Sequence, residues 1–547
     1  MWIKLAWDMI GTPVAGAPPK GRTDVIHKGP AVEIPDISLV PFVLHRTEQL
    51  GDKPALIDGL TGRKLTYGAL AGGVKRVASA LRRRGFKKGD VFAIFSPNLI
   101  DYPIAFFAVA SLGGVITTVN SLYTPRELGE QLTNSGARFL LTVPAFMDRA
   151  TEAVKGAAIE EVFVFGDAGG ATSFSELLSQ PAEDFTVEIN PAEDLVALPY
   201  SSGTTGMAKG VMLTHRNLVA NICQSEQCFH LREGERVLGV MPFYHIYGMT
   251  VIMNLAIHSR ATIVTMPRFE LETFLRVLQD HRVARAYVAP PIVVALAKHP
   301  MVDKFDLSSV TTVFSGAAPL DEALAEACGR RLNCKVNQGY GMTEASPVTH
   351  AVRDNIEWNK VGSIGPVIPG TECKVVDITT GTTLGPGSDG EIWIRGPQVM
   401  KGYLNNRAAT EQILDRDGWL HTGDIGHADQ DGDFFIVDRL KELIKYKGYQ
   451  VPPAELEAIL LSHPAVADAA VIPSPNEEAG EVPKAFVVLK SDVSPEALMQ
   501  YVAERVAPHK KIRLVETIDE IPKSASGKIL RRKLVERERA RASPTTA

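Results

Sequence analysis

Cysteine is scarce in this chain, and its spacing excludes the two structural uses that cysteine commonly has. The 547 residues contain five cysteines, an odd number, and no C-x-x-C pair occurs among them. Structural zinc sites and disulfide frameworks both need closely spaced or paired cysteines. We therefore expect neither, and we predict a protein of the reducing cytoplasm. The five positions are Cys223, Cys228, Cys328, Cys334 and Cys373.

An excess of positive charge is also lacking, and so is a clean apolar run that could cross a membrane. The net charge of −5 argues against a general nucleic-acid-binding surface. Two uncharged runs, 102–125 and 237–259, are interrupted by proline, glycine, asparagine or histidine, which is typical of buried helix–turn–strand units. The apolar first ten residues include Lys4 and Asp8 and lack the pattern of a secretory signal. We expect no nucleic-acid partner and no stable membrane span.

The chain is too long for one hydrophobic core, so two or more domains are expected. Short apolar strands alternate with helical patterns between Leu65 and Phe165, which predicts mainly parallel sheets covered by helices. Behind Asp438, about 100 residues have their own helix and strand pattern, the size of a small α+β domain. We predict a large domain over 1–438 with an irregular arm over 1–36, a small domain over 439–534 and a disordered tail over 535–547.

A glycine-, serine- and threonine-rich stretch over 200–210 is the first candidate binding site. It follows Asp194–Leu198, which we predict to be a buried strand, and a helix is expected to begin within 211–217. Backbone N–H groups and hydroxyls in such a loop bind anions, and Lys209 adds a positive charge. The stretch is not a Walker-type loop, because Lys209 is followed by glycine. A nucleotide phosphate site and a flexible turn both remain open from this stretch alone.

Three further candidate segments follow predicted strands or tight turns. Gly316 and Ala317 end a strand with small residues that would let a flat base approach the backbone. Thr343 and Glu344 offer the hard oxygen ligands that Mg²⁺ prefers. Asp424 follows a turn, where it could accept both hydroxyls of a ribose. The structural alternatives are a tight turn, a surface carboxylate and a turn-capping aspartate.

Seven segments, in this order, resemble the adenylate-forming superfamily of acyl-CoA synthetases, luciferases and adenylation domains. The likeness is greatest to the coumarate–CoA ligase and luciferase branch, and it spans roughly Leu39 to Leu534. It implies a distorted β-barrel beside the parallel sheets and a small C-terminal domain on a hinge. The segments are Ser201–Gly206 with Lys209, Gln338–Glu344, Gly390–Gly396, Gly423–Asp424, Asp438–Lys441, Lys445–Gly448 and Ser526–Lys528.

The resemblance implies an ATP-dependent carboxylate–CoA ligase that works in two steps through an acyl-adenylate. Glu344 would bind Mg²⁺, Lys528 would bridge the acid and the α-phosphate, and His245 would lie beside the acyl carboxylate. Lys441 would be the hinge. In the second step Lys445 and Gln450 would act at the rebuilt site, and coenzyme A would contact Arg268, Lys447 and Gly448. ATP and AMP would contact Ser201, Ser202, Gly203, Thr204, Thr205, Gly206, Lys209, Gly316, Ala317, Gln338, Gly339, Tyr340, Thr343, Asp424, Arg439 and Lys528.

The acyl pocket implied by the resemblance contains no acidic residue. An α-ammonium group buried there would need a carboxylate partner, so we predict an apolar or aromatic acid and not an amino acid. Fatty acids and hydroxycinnamate-like acids both remain open. The pocket residues would be His245, Tyr247, Gly248, Thr250, Val251, Gly341, Ser346, Pro347 and Val348.

Three other functions remain to be weighed against CoA ligation. They are transfer of the acyl group to a carrier protein, a luciferase-type oxygenation and a catalytically inactive binding protein. We favour CoA ligation because Lys528, Glu344 and Asp424 are all present, and Arg268 is available for coenzyme A. The expected partners are ATP, coenzyme A and a small carboxylic acid, and the expected state is a monomer or a homodimer.

Overall fold

The elements of the fold are taken from a computed structural model. It describes residues 25–201, 208–318, 320–354, 360, 362–446, 449–476, 479–506, 508–524 and 527–542. The strands, in chain order, are β1 (His27–Lys28), β2 (Pro54–Asp58), β3 (Lys64–Thr66), β4 (Val91–Ile94), β5 (Val115–Thr118), β6 (Ala137–Thr142), β7 (Glu161–Val164), β8 (Thr172–Ser173), β9 (Leu195–Ala197), β10 (Tyr200–Ser201), β11 (Lys209–Thr214), β12 (Arg236–Gly239), β13 (Thr262–Thr265), β14 (Arg285–Val288), β15 (Thr312–Ser315), β16 (Lys335–Gly341), β17 (Val348–Ala351), β18 (Glu372–Val376), β19 (Gly390–Arg395), β20 (Gly402–Tyr403), β21 (Leu420–Ala428), β22 (Phe434–Arg439), β23 (Ile444–Tyr446), β24 (Tyr449–Val451), β25 (Val466–Asn476), β26 (Gly480–Leu489) and β27 (Leu514–Thr517).

Helices connect these strands and cover the sheets. One segment, Tyr247–Asn254, is a π-helix, and short 3₁₀ turns occur elsewhere, among them Thr343–Ala345. The α-helices are α1 (Leu39–Val43), α2 (Thr47–Leu50), α3 (Tyr67–Arg83), α4 (Tyr102–Ser111), α5 (Pro125–Ser135), α6 (Met147–Ala153), α7 (Phe174–Ser179), α8 (His215–Phe229), α9 (Leu255–His258), α10 (Leu271–Asp280), α11 (Pro290–Lys298), α12 (Glu322–Leu332), α13 (Arg407–Ile413), α14 (Pro453–Ser462), α15 (Pro495–Ala503) and α16 (Arg531–Ala542).

Two large sheets with mainly parallel pairing form the body of the protein. In the described residues one has the order β17-β16-β15-β14-β12-β13-β2-β3, and the other runs β10-β11-β9-β5-β4-β6-β7-β8, with β20 paired to β11. Strands such as β5 and β14 are buried at every position, as expected for sheets with helices on both faces. Side chains from both sheets share one hydrophobic core that extends from Leu39 to Ala409.

A third sheet is antiparallel and lies beside the parallel ones. Its order is β1-β18-β19-β21-β22, and buried and half-buried residues alternate along β19. This alternation is typical of a sheet with one face on a core, and the core here is a separate cluster. Single bridges from Gly365 to Phe434 and from His350 to Val367 continue the sheet toward β17, giving a curled half-barrel.

The C-terminal domain has its own sheet, in the order β24-β23-β26-β25 with β27 paired to β26. Its buried residues form two clusters of their own, between Ile444 and Ile512 and between Ala470 and Leu534. The predicted fold class, parallel α/β sheets with a barrel-like sheet and a C-terminal domain, is confirmed. The boundary between Asp438 and Arg439 stays a prediction.

The predicted disordered tail is wrong for residues 535–542, because α16 continues to Ala542. The helix is held by partners from the distant strands β25 and β26. Val535 packs against their buried face, and the Glu538 carboxylate accepts hydrogen bonds from Ser474 Oγ at 2.8 Å and from Lys484 Nζ at 2.5 Å. A charged, polar helix of this kind has no local apolar pattern to reveal it. The last predicted tail residues, 543–547, lie outside the described residues.

Two other local predictions are refined. The helix expected within 211–217 begins at His215, because the chain continues as strand β11 up to Thr214. Thr214 Oγ1 accepts a hydrogen bond from the Asn217 N–H, and Asn217 Oδ1 accepts one from the Thr214 N–H, so the start is fixed by a capping box. In the predicted arm, residues 1–24 lie outside the described residues, while His27–Lys28 pairs with β18.

Candidate active site

A carboxylate, a phenol and a guanidinium from three strands meet at Asp424. The Tyr340 hydroxyl donates a hydrogen bond to Asp424 Oδ2 at 2.5 Å, and Arg439 Nε lies 3.1 Å from Asp424 Oδ1. Asp424 is 5% exposed. An ionised carboxylate has about four acceptor positions, so it can take further donors. The structure thus brings together three residues that were predicted to contact the nucleotide.

A second group of residues connects Glu344, the candidate metal ligand, with Lys209, which is predicted to bind phosphate. Glu344 is 6% exposed, and its Oε1 accepts a hydrogen bond of 2.7 Å from the Tyr403 hydroxyl. The Lys209 ammonium lies 5.1 Å from the centroid of the Tyr403 ring, within the range of a cation–π contact. Tyr403 therefore links Lys209 to Glu344, and no motif in the sequence pointed to it. A pairing of β10 with β11 sets Ser201 opposite Lys209. The predicted phosphate residues 202–206 lie outside the described residues.

The turn that carries Lys528 rests on the large domain. A hydrogen bond of 2.8 Å from the Ser524 N–H to the Lys528 carbonyl closes the turn. At Gly527 a Cβ atom would lie 3.2 Å from the ring of Pro291, at the beginning of α11. The close approach of this glycine to Pro291 brings the neighbouring Lys528 toward the carboxyl end of β14.

Electrostatics connect Lys528 to both candidate binding regions. Burial, together with the positive charge of Arg439, lowers the pKa of Lys528 to about 8, although the charges of Glu442 and Asp424 oppose that shift. Burial, together with the positive charge of Lys528, lowers the pKa of His245 to about 4. A cation near Asp424 and His245 can therefore act on a nucleotide and an acid together.

His245 is a neutral hydrogen-bond donor at neutral pH. Its Nδ1 lies 3.3 Å from the Tyr247 N–H, which donates to it. The proton of the neutral ring is therefore on Nε2, where it can be donated to an anion. The π-helix that follows begins at Tyr247. Such helices are rare and frequent at functional sites, but nothing in the sequence distinguished this one from an α-helix.

The predicted acyl residues lie in two segments near the end of β15. The first is the π-helix that begins at Tyr247. The Tyr247 hydroxyl donates to the Phe314 carbonyl at 3.2 Å, and a Cβ at Gly316 would lie 3.3 Å from the Tyr247 ring. On the same helix Thr250 and Val251 are buried. A Cβ at Gly248 would lie 2.0 Å from the Pro242 carbonyl oxygen, so the helix requires glycine there.

The second segment is the turn between β16 and β17. A Cβ at Gly341 would lie 2.2 Å from the Pro347 carbonyl oxygen. Ser346 Oγ donates to the Gln398 carbonyl at 2.8 Å, and the Val348 N–H donates to Asn221 Oδ1 at 3.1 Å. Asn221 thus holds the backbone at Val348, and the sequence did not indicate this residue.

Other residues predicted to bind the nucleotide, among them the adenine-side residues Gly316 and Ala317, lie at the end of β15 and on the neighbouring strand β16. Ala317 is exposed with a φ of 73°, directly after Gly316. The Gln338 amide makes hydrogen bonds of 3.3 and 3.4 Å to the backbone of Leu320, so it holds the turn after β15. A Cβ at Gly339 would lie 2.6 Å from the Phe314 ring. Thr343 begins the 3₁₀ turn that carries Glu344.

Of the residues predicted to serve the second step, Lys445 and Gln450 lie on the paired strands β23 and β24. Lys445 is exposed, its N–H donates to Glu481 Oε2 at 2.8 Å, and its Cα pairs with that of Gln450. Lys441 is exposed in the turn after β22, and Arg268 is exposed after β13. Lys447, Gly448 and the side chain of Gln450 lie outside the described residues. In this conformation the turn that carries Lys528 approaches Pro291 of the large domain, while the Lys445 side chain is exposed.

Within the described ranges, no helix is long and apolar enough to cross a membrane. The same part of the chain contains no group of three or more histidine, cysteine, aspartate or glutamate residues that could hold a metal ion.

Both parts of the chain match models of known protein families. Residues 43–404 match the AMP-binding enzyme family, and residues 455–528 match the AMP-binding enzyme C-terminal domain. The chain belongs to the AMP-binding enzymes. The resemblance to the adenylate-forming superfamily that the sequence motifs indicated is confirmed.

Relatives of this AMP-binding enzyme are similar to it over most of its length. A 4-coumarate–CoA ligase 5 from Oryza sativa subsp. japonica is 44% identical over 520 residues, covering 92% of this chain and 95% of the relative. A 4-coumarate–CoA ligase-like 9 from the same plant is 45% identical over 526 residues, covering 92% and 94%. Among solved structures, the anthranilate CoA ligase AuaEII in complex with anthranoyl-AMP has a TM-score of 0.86 at 27% identity, covering 93% and 99%. ATP-bound MatB from Rhodopseudomonas palustris has a TM-score of 0.85 at 27% identity, covering 93% and 100%.

Proposed function

We propose that this AMP-binding enzyme is an ATP-dependent carboxylate–CoA ligase. It converts ATP and a carboxylic acid into an acyl-adenylate and pyrophosphate, and it then converts the adenylate and coenzyme A into acyl-CoA and AMP. The observation that carries the proposal is the Lys528 turn, which packs on Pro291 and places a cation in electrostatic contact with Asp424 and His245. Relatives named as CoA ligases, similar along more than nine-tenths of the chain, support the same activity.

The first step joins two anions, so positioning and charge neutralisation determine its rate. A carboxylate oxygen of the acid attacks the α-phosphorus, the new O–P bond forms, and the bond to pyrophosphate breaks. Lys528 neutralises the carboxylate and the α-phosphate, while the His245 Nε2–H orients the carboxylate. Asp424 holds the ribose. Lys209 and the 201–206 loop hold the outer phosphates.

Glu344 is suited to Mg²⁺, which commonly binds through one or two carboxylates together with substrate phosphates. Its Oε1 is held by the Tyr403 hydroxyl, so the carboxylate is oriented before a ligand arrives. Thr343 lies beside it in the same turn. When bound, the metal would neutralise phosphate charge at this point.

In the second step the thiol sulfur of coenzyme A attacks the acyl carbon and a C–S bond forms. The bond between the acyl carbon and the AMP oxygen breaks, AMP leaves with its electrons, and the thiol proton is released to solvent. Lys445, Lys447, Gly448 and Gln450 form this second site after the C-terminal domain turns about Lys441, and Arg268 binds phosphates of coenzyme A. The exposure of Lys445 while Lys528 is docked supports the use of two orientations.

The acid has an apolar or aromatic tail. Tyr247 and Val251 are buried along one side of the proposed pocket, Val348 lies on the other, and none of the pocket residues is acidic. A buried ammonium group would have no carboxylate partner there. Relatives named for 4-coumarate and anthranilate are consistent with an aromatic ring in this pocket.

One assay tests the proposed function directly. A panel of fatty, aryl-alkyl, hydroxycinnamic and amino acids is incubated with ATP, Mg²⁺ and coenzyme A, and AMP and acyl-CoA are measured by mass spectrometry. We expect acyl-CoA from at least one apolar or aromatic acid. Pyrophosphate exchange that is faster with amino acids than with any apolar acid would contradict the proposed substrate class. Adenylate without thioester would indicate carrier transfer, and light emission with luciferin would indicate oxygenation.

The pKa of Lys528 predicts a pH dependence of adenylation. Only the protonated amine neutralises the reactants, and its pKa is lowered to about 8 by burial. Because kcat/KM reports groups of the free enzyme, kcat/KM for ATP should fall as the pH rises through about 8. Lys528→Arg remains protonated in this range, so its profile should lack that fall even if its rate is lower. Parallel profiles for the two enzymes would show that Lys528 does not set the titration.

A further inference from the structure

Asp424 lies in an irregular part of β21 that a regular strand would not contain. The Cα pairing sets Glu391 opposite Ile425 and Trp393 opposite His421, so the three residues 422–424 face the single residue Ile392. Gly423 has a φ of 69°, in the left-handed region that glycine adopts readily. Bulges of this kind are common beside active sites, where they change the direction of a side chain. Here the affected side chain is the proposed ribose ligand.

The side chain of Glu391 accepts two hydrogen bonds at this bulge. Its Oε1 accepts a hydrogen bond of 2.9 Å from the Gly423 N–H, and its Oε2 accepts one of 2.8 Å from Trp393 Nε1. The Gly423 carbonyl accepts a hydrogen bond of 2.8 Å from the Leu440 N–H on the other side. The peptide groups immediately before Asp424 are thus fixed by Glu391 of β19 on one side and by Leu440 on the other. Trp393 in turn holds the carboxylate of Glu391.

Thr422 completes the arrangement. Its hydroxyl donates to the Ile392 carbonyl at 2.7 Å and accepts a hydrogen bond of 3.1 Å from the Asp424 N–H. Hydrogen bonds to a carboxylate are charge-assisted and stronger than neutral ones. The charged contact at Gly423 is therefore the one expected to contribute most to the shape of the bulge.

We propose that Glu391 is a positioning residue for nucleotide binding: by holding the Gly423 N–H it orients the Asp424 carboxylate toward the two ribose hydroxyls. The inference rests on the proposed role of Asp424 in the function above. A binding group must be held within roughly 0.5 Å of its productive position to be effective. Loss of Glu391 therefore reduces the part of ATP affinity that comes from the ribose hydroxyls and leaves the rest.

The test compares binding of ATP with binding of 2′,3′-dideoxy-ATP, which lacks both hydroxyls, by isothermal titration calorimetry. We expect Glu391→Ala to weaken ATP binding by ~10-fold, since a hydrogen bond to a charged group contributes at about this level. Its affinity for the dideoxy nucleotide should remain within about twofold of the parent. Glu391→Met, which retains side-chain volume but lacks the acceptor, should behave in the same way if the alanine variant fails to fold.

Two further variants separate the positioning role from a structural one. Glu391→Gln retains an oxygen for the Gly423 N–H and should restore most of the preference for ATP over the dideoxy nucleotide. Glu372→Ala is the matched control, because Glu372 is a half-buried carboxylate on the adjacent strand that pairs with Arg395 and does not touch the bulge. It should leave the preference unchanged. Thermal unfolding of each variant verifies that it is folded.

Equal loss of affinity for both nucleotides in folded Glu391→Ala or Glu391→Met would overturn the inference. Unchanged binding of both nucleotides would do the same. Asp424→Ala is measured beside them and should remove the preference for ATP. If it keeps that preference, the proposed ribose role of Asp424 is wrong and the inference about Glu391 fails with it. If Asp424→Ala behaves as expected and Glu391→Ala does not, only the inference fails.

Discussion

Lys528→Ala should reduce acyl-adenylate formation by ~10²-fold or more, the usual effect of removing a preorganised charge from a reaction centre. The reason is that Lys528 interacts electrostatically with Asp424, at the proposed nucleotide site, and with His245, at the proposed site of the acid. Its turn is placed there by the contact of Gly527 with Pro291. Transfer of a supplied acyl-adenylate to coenzyme A should be largely retained, because that step is proposed to use Lys445.

Each half-reaction is measured alone, the first by ATP–pyrophosphate exchange and the second by single-turnover formation of acyl-CoA from synthetic acyl-adenylate. Lys523→Ala is the matched control. Lys523 precedes the same turn but pairs with Asp468 at 2.6 Å, so its loss removes a lysine without removing the charge at the site. We expect near-parental rates for both steps in this control. Loss of both half-reactions in equal proportion by Lys528→Ala, with a normal unfolding temperature, would contradict the assignment.

Lys441→Pro should abolish thioester formation and leave adenylation. Proline fixes φ near −65° and restricts the residue before it, so it removes the freedom that a hinge needs. The residues on both sides of Lys441 are held. The Leu440 N–H donates to the Gly423 carbonyl at 2.8 Å, and Glu442 forms an ion pair with Arg531 in the C-terminal domain. Lys441 itself is exposed, so a large change of its dihedral angles would disturb no core packing.

The same two assays test this prediction, with Lys441→Ala as the control that removes the side chain and leaves the backbone free. We expect Lys441→Ala to catalyse both steps and Lys441→Pro only the first, since the docked Lys528 turn is the arrangement that adenylation uses. Thioester formation by Lys441→Pro at the rate of Lys441→Ala would show that no turn about this residue is needed. If Lys441→Pro and Lys528→Ala, both folded, lost both steps in equal proportion, the two-orientation proposal would be wrong for this protein.

Much of the architecture follows from local patterns in the sequence. Strand β4, for example, is a short apolar run because it is buried between helix layers, and this makes it recognisable without a structure. Sequence motifs also indicated the candidate nucleotide-binding residues, because glycine, threonine and aspartate at strand ends fit backbone geometries that few other residues allow. Asp424 and Glu344 were predictable as candidates from their position after turns and strands, and Lys528 from the resemblance to the adenylate-forming superfamily.

Contacts between distant polar residues were decided only by the tertiary structure. Tyr403 meets Glu344 across 59 residues of chain, Glu391 meets Gly423 across 32, and Lys484 meets Glu538 across 54. Such a pair has no periodicity, because each partner is a single polar side chain whose neighbour is set by strand order and register. The sequence by itself determined many of the strands and helices of the parallel sheets, since hydrophobic burial leaves a repeating pattern. It could not determine which hydroxyl would hold Glu344, which carboxylate would hold the bulge at Asp424, or that residues 535–542 would be an ordered helix, because a hydrogen bond needs only one correctly placed partner.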